Sequence, residues 1–290
     1  MDLLAAIDTS TRLGQATKRT YHSAVGRFVA FARGDYTGAA VERWRDCLTA
    51  GGLDGATTYK MMSALRYASR RCSDLGLGPD FAQAAELPKR PSWTPRRAAL
   101  ALEVVKLFAV CDADGSARGV RDAALLRLLA LLGLRRIEVE RLTRGSYRAG
   151  KLRVLRKGGW EQVIAVDGET KAALEAWLAI RRGRPEDRMF TSISRSVDDR
   201  PRLGPGLHAG GVAHIVAQRA REAGIKQAIR PHALRHSFVT LALDAGVPAH
   251  RVMVAAGHRS LATTSRYIGE ADADATPIGN AIISQLGKPR

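Results

Sequence analysis

The chain has 290 residues, 46% hydrophobic and 26% charged, a globular balance that excludes wholesale disorder. Its 46 Lys and Arg outnumber 28 Asp and Glu, giving a formal net charge of +18. So much self-repelling charge implies a polyanionic partner, nucleic acid ahead of an anionic membrane surface. No apolar run reaches the ~18–20 residues needed to span a bilayer; the longest, Ala123 to Leu134, is interrupted by Arg127. The opening MDLLAAIDTS carries Asp2 and no basic stretch, unlike a secretory signal. Cys47, Cys72 and Cys111 are odd in number and far apart, which excludes a full disulfide framework, disfavours zinc and points to a reducing cytoplasm.

In chain order, residues 1–87 read as helical. Tyr21, Val25, Phe28, Val29 and Ala32 share one helical face, Val41, Trp44 and Leu48 a second, and Tyr59, Met62 and Leu65 a third. Gly34, Gly51, Gly52 and Gly76 punctuate these stretches. The segment 88–97 holds Pro88, Pro91 and Pro95, which cannot continue a helix. It also holds Lys89, Arg90, Arg96 and Arg97, so the linker has the charge to lie along a phosphate backbone; a solvated linker without a partner is the plainer reading. Residues 1–95 contain 13 basic and 9 acidic residues, leaving 33 and 19 for the remainder, which therefore carries most of the excess.

Helical patterns follow at 101–112 and 119–132, and a third opens near Arg135. After a short strand-like stretch, Lys151–Arg156 and Gln162–Val166 alternate on either side of Gly158-Gly159, which predicts a hairpin. Helices are expected again at 169–182, 209–223, 231–245, 247–256 and 260–269, with a basic loop around Pro185, Pro201 and Pro205. The fold class is thus mainly α with a small antiparallel β-sheet: a helical N-terminal domain, then an α+β domain.

Local features with chemical potential are individually weak. Arg135, after Gly133-Leu134 at a helix start, can aim a rigid fork at a phosphate, or simply pair with Glu138 or Glu140. Lys157 at a hairpin tip is ordinarily a solvated lysine. His232-Ala-Leu-Arg235-His236 spaces two histidines by one helical turn but lacks the Glu of H-E-x-x-H, and a guanidinium between imidazoles suits a phosphate better than a metal. His258 follows Gly257, where a loop histidine is usually structural. Tyr267 would ordinarily be a packing residue; as a nucleophile, a phenol of pKa about 10 needs cationic neighbours.

Taken together and in order, these residues resemble the tyrosine recombinase (phage integrase) family, of the simple two-domain, Xer- or Cre-like type. The family's G-L-R-x-x-E-x-x-x-L helix is matched by Gly133, Leu134, Arg135, Glu138 and Leu142. Its hairpin K-G is matched at Lys157, H-x-L-R-H at 232–236, G-H at 257–258, and T-T-x-x-Y at Thr263, Thr264 and Tyr267. Ala255-Ala256 stands where L-L is common, Tyr267-Ile-Gly where Y-T-H is common, and Arg136 is an additional base.

The resemblance implies a site-specific DNA recombinase working through a 3′-phosphotyrosyl intermediate and a Holliday junction. Its catalytic residues would be Arg135, Lys157, His232, Arg235, His258 and the nucleophile Tyr267, with Glu138 and His236 in support. Lys89, Arg90, Arg96, Arg97 and Arg136 would contact DNA. It implies a core-binding domain at 1–87, a linker at 88–97, a catalytic domain at 98–270, and a tail at 271–290 that docks on its own domain or on a neighbouring protomer. The expected partners are double-stranded DNA bearing a specific recombination site and further copies forming a tetramer on it, with no membrane and no cofactor or metal. The expected location is cytoplasmic, at the nucleoid. A type IB topoisomerase shares the constellation but needs no paired site, a non-catalytic DNA-binding regulator has no use for Tyr267 or Lys157, and a metal-dependent nuclease would be sensitive to chelators.

Overall fold

The computed structural model describes residues 2–89, 98–166, 168–194 and 202–257. The chain divides into two compact units, Met1–Thr94 and Pro95–Arg290. Among the described residues no helix is long and apolar enough to cross a membrane.

The first unit is helical: α1 (Leu3–Asp8), α2 (Gln15–Ala32), α3 (Gly38–Ala50) and α4 (Gly55–Asp74). The acid at the start of the chain has a local job, because the Asp2 carboxylate caps α1 by accepting from the Leu4 and Ala5 amides. Helix α1 lies within the stretch read as helical, though no apolar face singled it out, because it is barely two turns long. It is held by Leu3, Ala6 and Ile7, which are buried in the same core as Val25, Phe28, Val41, Trp44, Met62 and Leu65. Phe28 centres an aromatic cluster, edge-on to Trp44 at 5.2 Å and stacked on Phe81 at 5.9 Å.

The second unit wraps α6 (Ala117–Ala130) with α5 (Ala101–Ala113), α8 (Gly168–Ile180), α9 (Ala209–Glu222) and α10 (Pro231–Asp244). Leu125, Leu126, Leu128 and Leu129 of α6 are all inaccessible, each stabilising the fold by roughly 1.5–3 kcal/mol. Arg127 survives in that core because both its terminal nitrogens reach Asp112, at 3.0 and 2.7 Å, and its guanidinium lies 4.6 Å above the Phe108 ring. The predicted hairpin forms as β2 (Lys151–Leu155) and β3 (Glu161–Ala165), joined by β1 (Tyr147–Arg148) into an antiparallel sheet of order β1-β2-β3. Leu152 and Val154 face inward and their neighbours outward, as alternation requires.

One expectation fails in the region of Pro201 and Pro205. Where a basic loop was expected there is a second sheet, β4 (Thr191–Ser194) paired antiparallel with β5 (Arg202–Gly206). Two strands alone are both edges, so Pro205 needs no ladder partner for its missing N–H, and the pairing register shifts between Thr191 and Ile193, opposite it. The helix opening near Arg135 is short, α7 (Arg136–Arg141), and α11 spans Ala249–Ala256. The expected helix at 260–269 lies outside the described residues.

Candidate active site

The site begins at the turn leaving α6. Gly133 adopts φ +61°, and a Cβ there would sit 2.4 Å from the Phe238 ring, so glycine is required on both counts. The turn delivers Arg135 as the residue before α7. Its backbone N–H donates to Glu138 Oε2 at 2.8 Å and its Nη1 to Glu138 Oε1 at 2.8 Å. The pairing with Glu138 considered from sequence therefore exists, yet the Arg135 side chain remains 28% exposed and lines a cleft. Glu140 plays no such part; it accepts the Ala209 amide at the start of α9, where a carboxylate suits the positive helix end.

The cleft is open, of about 700 Å³, and is lined by Arg135, Arg136, Arg230, His232 and Arg235 together with Ile137, Ala213, Ala217 and Pro231. Pro231 at the first position of α10 sets the helix start and places His232 and Arg235 on the turns facing the cleft. Arg235 is 2% exposed; it donates to the Gly133 carbonyl and, at 2.6 Å, to the Ala256 carbonyl. His232 and His236, one turn apart, bring their Nε2 atoms to 3.1 Å, with His236 buried and His232 exposed. Four arginines and an exposed histidine line one cleft, a set of donors and charge that suits an anion of the phosphodiester kind.

Glu138 is 2% exposed and has a second cationic partner that the motif did not indicate. Arg156 donates Nη1 to Glu138 Oε2 at 2.7 Å, Nε to Gln162 Oε1 at 2.8 Å and Nη2 to the Ala255 carbonyl at 2.8 Å. Burial drives its pKa down from the ordinary arginine value, with repulsion from Arg135 adding to this and Glu138 opposing it. Arg230 is the other residue missed; its signal was its place directly before the helix-starting Pro231. Lys157 sits exposed at the hairpin tip, beside Gly158 and Gly159, whose φ values are +97° and +83°. It is not among the residues lining the cleft. Lys89 is exposed in the first unit. Arg90, Arg96, Arg97, His258 and Tyr267 lie outside the described residues.

Residues 100–274 match the model of the phage integrase family, a span that holds every motif from Gly133 to Tyr267. The chain belongs to that family. A tyrosine recombinase XerC from Rhodospirillum centenum is 32% identical over 274 residues, covering 87% of this chain and 76% of the relative. Among solved structures, XerH site-specific recombinase bound to a palindromic difH substrate superimposes with a TM-score of 0.70, at 19% identity over 93% of this chain and 80% of that one. A lambda integrase tetramer bound to a Holliday junction gives 0.68, at 18% identity over 91% and 74%. At these identities the two structures establish the fold, and this integrase-family chain shares it.

Proposed function

We propose that this tyrosine recombinase, a site-specific DNA recombinase, uses the cleft of Arg135, His232 and Arg235 to hold the scissile phosphodiester of double-stranded DNA. The observation that carries the reading is the convergence of three motif residues from two separate stretches of sequence on one cationic cleft. Arg135 and Arg235 neutralise the non-bridging oxygens, where fixed donors act on charge that grows in the transition state. Tyr267 Oη attacks phosphorus, the P–O5′ bond breaks, and a 3′-phosphotyrosyl bond replaces it. His232 takes up the Tyr267 proton, with His236 fixing its ring, and Lys157 gives a proton to the departing 5′-oxygen. His258 donates to the same phosphate, and Glu138 orients Arg135. Bond energy is retained in the covalent intermediate, so the residues require no cofactor.

The helical segment 1–87 serves as a core-binding domain, 98–270 as the catalytic domain, and 271–290 as a tail that docks on its own or a neighbouring copy. Lys89, Arg90, Arg96, Arg97 and Arg136 contact backbone phosphates, which makes binding fall steeply with salt. Strand exchange between two specific sites requires a tetramer, and the lambda integrase assembly on a Holliday junction, of the same fold, supports that arrangement. The setting is the cytoplasm, at the nucleoid. Replacing Tyr267 with Phe removes one hydroxyl, so DNA binding should persist while the denaturation-resistant protein–DNA adduct vanishes; a Tyr267→Phe protein that still forms the adduct overturns the assignment.

A further inference from the structure

Arg156 has no place in the family motifs matched above, yet its side chain is wholly inaccessible. A guanidinium is costly to bury unless its donors are placed. Alternation along β2 explains how it gets there: Leu152 and Val154 face inward, and position 156 keeps that parity just past the strand end, whereas Lys157 falls on the outward parity. Its three acceptors belong to three different places in the fold, Gln162 on β3, Glu138 on α7 and the Ala255 carbonyl at the end of α11. Gln162 adds a second tie, donating Nε2 to the Val254 carbonyl at 3.0 Å.

The end of α11 is held in an unusual way. The carbonyls of Ala255, Ala256 and Gly257, successive in the chain, each accept from a different guanidinium: Arg156 at 2.8 Å, Arg235 at 2.6 Å and Arg135 at 3.4 Å. Those carbonyls lie at the C-terminal end and cap of α11, where the helix dipole is negative, so cations suit them. Gly257 adopts φ +64°, and a Cβ there would lie 2.8 Å from Arg156 Nε, so the backbone packs directly on that guanidinium. The next residue in sequence is His258.

We propose that Arg156 is a positioning residue for the reaction. It ties the hairpin tip bearing Lys157 to the Glu138–Arg135 pair and to the segment that leads into His258, so that the proton donor and the phosphate clamp keep one geometry. The inference rests on the roles proposed above for Lys157 and His258. Arg135 keeps its own two bonds to Glu138 without Arg156, so loss of Arg156 falls chiefly on Lys157.

The test compares single-turnover adduct formation on ordinary DNA and on DNA with sulfur in the 5′-bridging position, whose thiolate leaves without a proton. Arg156→Lys keeps a charge but cannot reach three acceptors; Gln162→Met removes one acceptor and the Val254 tie from a partly exposed position. Arg156→Lys should bind DNA normally and cleave ordinary DNA about 10²-fold more slowly, since a misplaced acid forfeits most of its contribution. Gln162→Met should show a smaller loss, and sulfur should restore most of the rate to both. Equal losses on both substrates, or wild-type rates on ordinary DNA, overturn the inference. Lys157→Ala separates the layers: if sulfur rescues it but neither Arg156→Lys nor Gln162→Met, the reading of Lys157 stands and the inference falls. If sulfur does not rescue Lys157→Ala, the reading beneath fails and takes the inference with it. Should Arg156→Lys not fold, Gln162→Met decides.

Discussion

Two buried clusters of arginine and carboxylate lie within the second unit, and they differ in charge balance. On the side of α5, α6 and α9, Arg121 and Arg219 share Asp122, with Asp122 Oδ1 accepting Arg121 Nε and Oδ2 accepting Arg219 Nε, both at 2.8 Å. Arg219 also donates to Asp114 at 2.7 Å and to Glu222 at 2.9 Å. Two guanidiniums thus meet three carboxylates. At the cleft the proportion reverses among the described residues: Arg135 and Arg156 share the carboxylate of Glu138, and Arg235 beside them donates to the Gly133 and Ala256 carbonyls. A cluster with no cationic excess has nothing to offer an anion and holds helices together. One that keeps a cationic excess against an open cleft is stabilised further when an anion arrives, which is what a phosphate-handling site requires.

If that distinction is right, the two clusters fail in different ways. The largest effect should come from Arg135→Ala, which removes a partly exposed guanidinium while leaving Glu138 paired with Arg156. The fold should survive, and adduct formation should slow by about 10²–10³-fold, the cost of losing one donor to developing charge. Single-turnover cleavage at matched DNA occupancy measures it. Asp122→Ala should do the opposite. It strips the shared carboxylate from two buried arginines and should cost about 3 kcal/mol of stability, read as a lowered urea midpoint, while the rate per folded molecule stays near wild type. A variant at Asp122 that folded normally and cleaved a hundred times more slowly would erase the contrast between scaffold and site.

The roles of these arginines were unequally legible in the sequence. Arg135 and Arg235 are marked by their motif neighbours, and the Gly133 that precedes them has a visible reason in its left-handed turn against Phe238. Arg156 was half legible: the alternation of Leu152 and Val154 already put position 156 on the inward face, and a charged residue there is a signal. What it meets was not readable, because Glu138 and the carbonyl of Ala255 lie far from it in sequence. Carbonyls carry no residue signature at all, so the capping of α11 by three guanidiniums is invisible before folding. The β4–β5 pair was hidden for another reason. Its strands are short, and the Gly204-Pro205-Gly206 run reads as a turn until an edge position makes the proline harmless.

The smallest effect expected belongs to the scaffold side and tests its burial. Cys111 on α5 is 1% exposed, and burial pushes its thiol up from an ordinary value of 9.0 to about 12, with Arg219 nearby pulling the other way and Asp122 and Asp112 adding to the rise. The folded state therefore prefers the neutral thiol, whereas the unfolded chain ionises near 9. The resulting stability is fully present below pH 9 and is lost as pH climbs from 9 toward 12. Between pH 8 and 10 the loss attributable to this one group should be about 1 kcal/mol. Urea unfolding of wild type and Cys111→Ala at the two pH values isolates it, because every other titrating group is common to both. Exposed Cys47 should react at once with a thiol reagent under native conditions, and Cys111 only as the scaffold opens. Asp122→Ala should hasten the second reaction without changing the first. If Cys111→Ala keeps the full alkaline loss, or if Cys111 reacts as fast as Cys47, that side of the unit is wetter than a closed cluster allows.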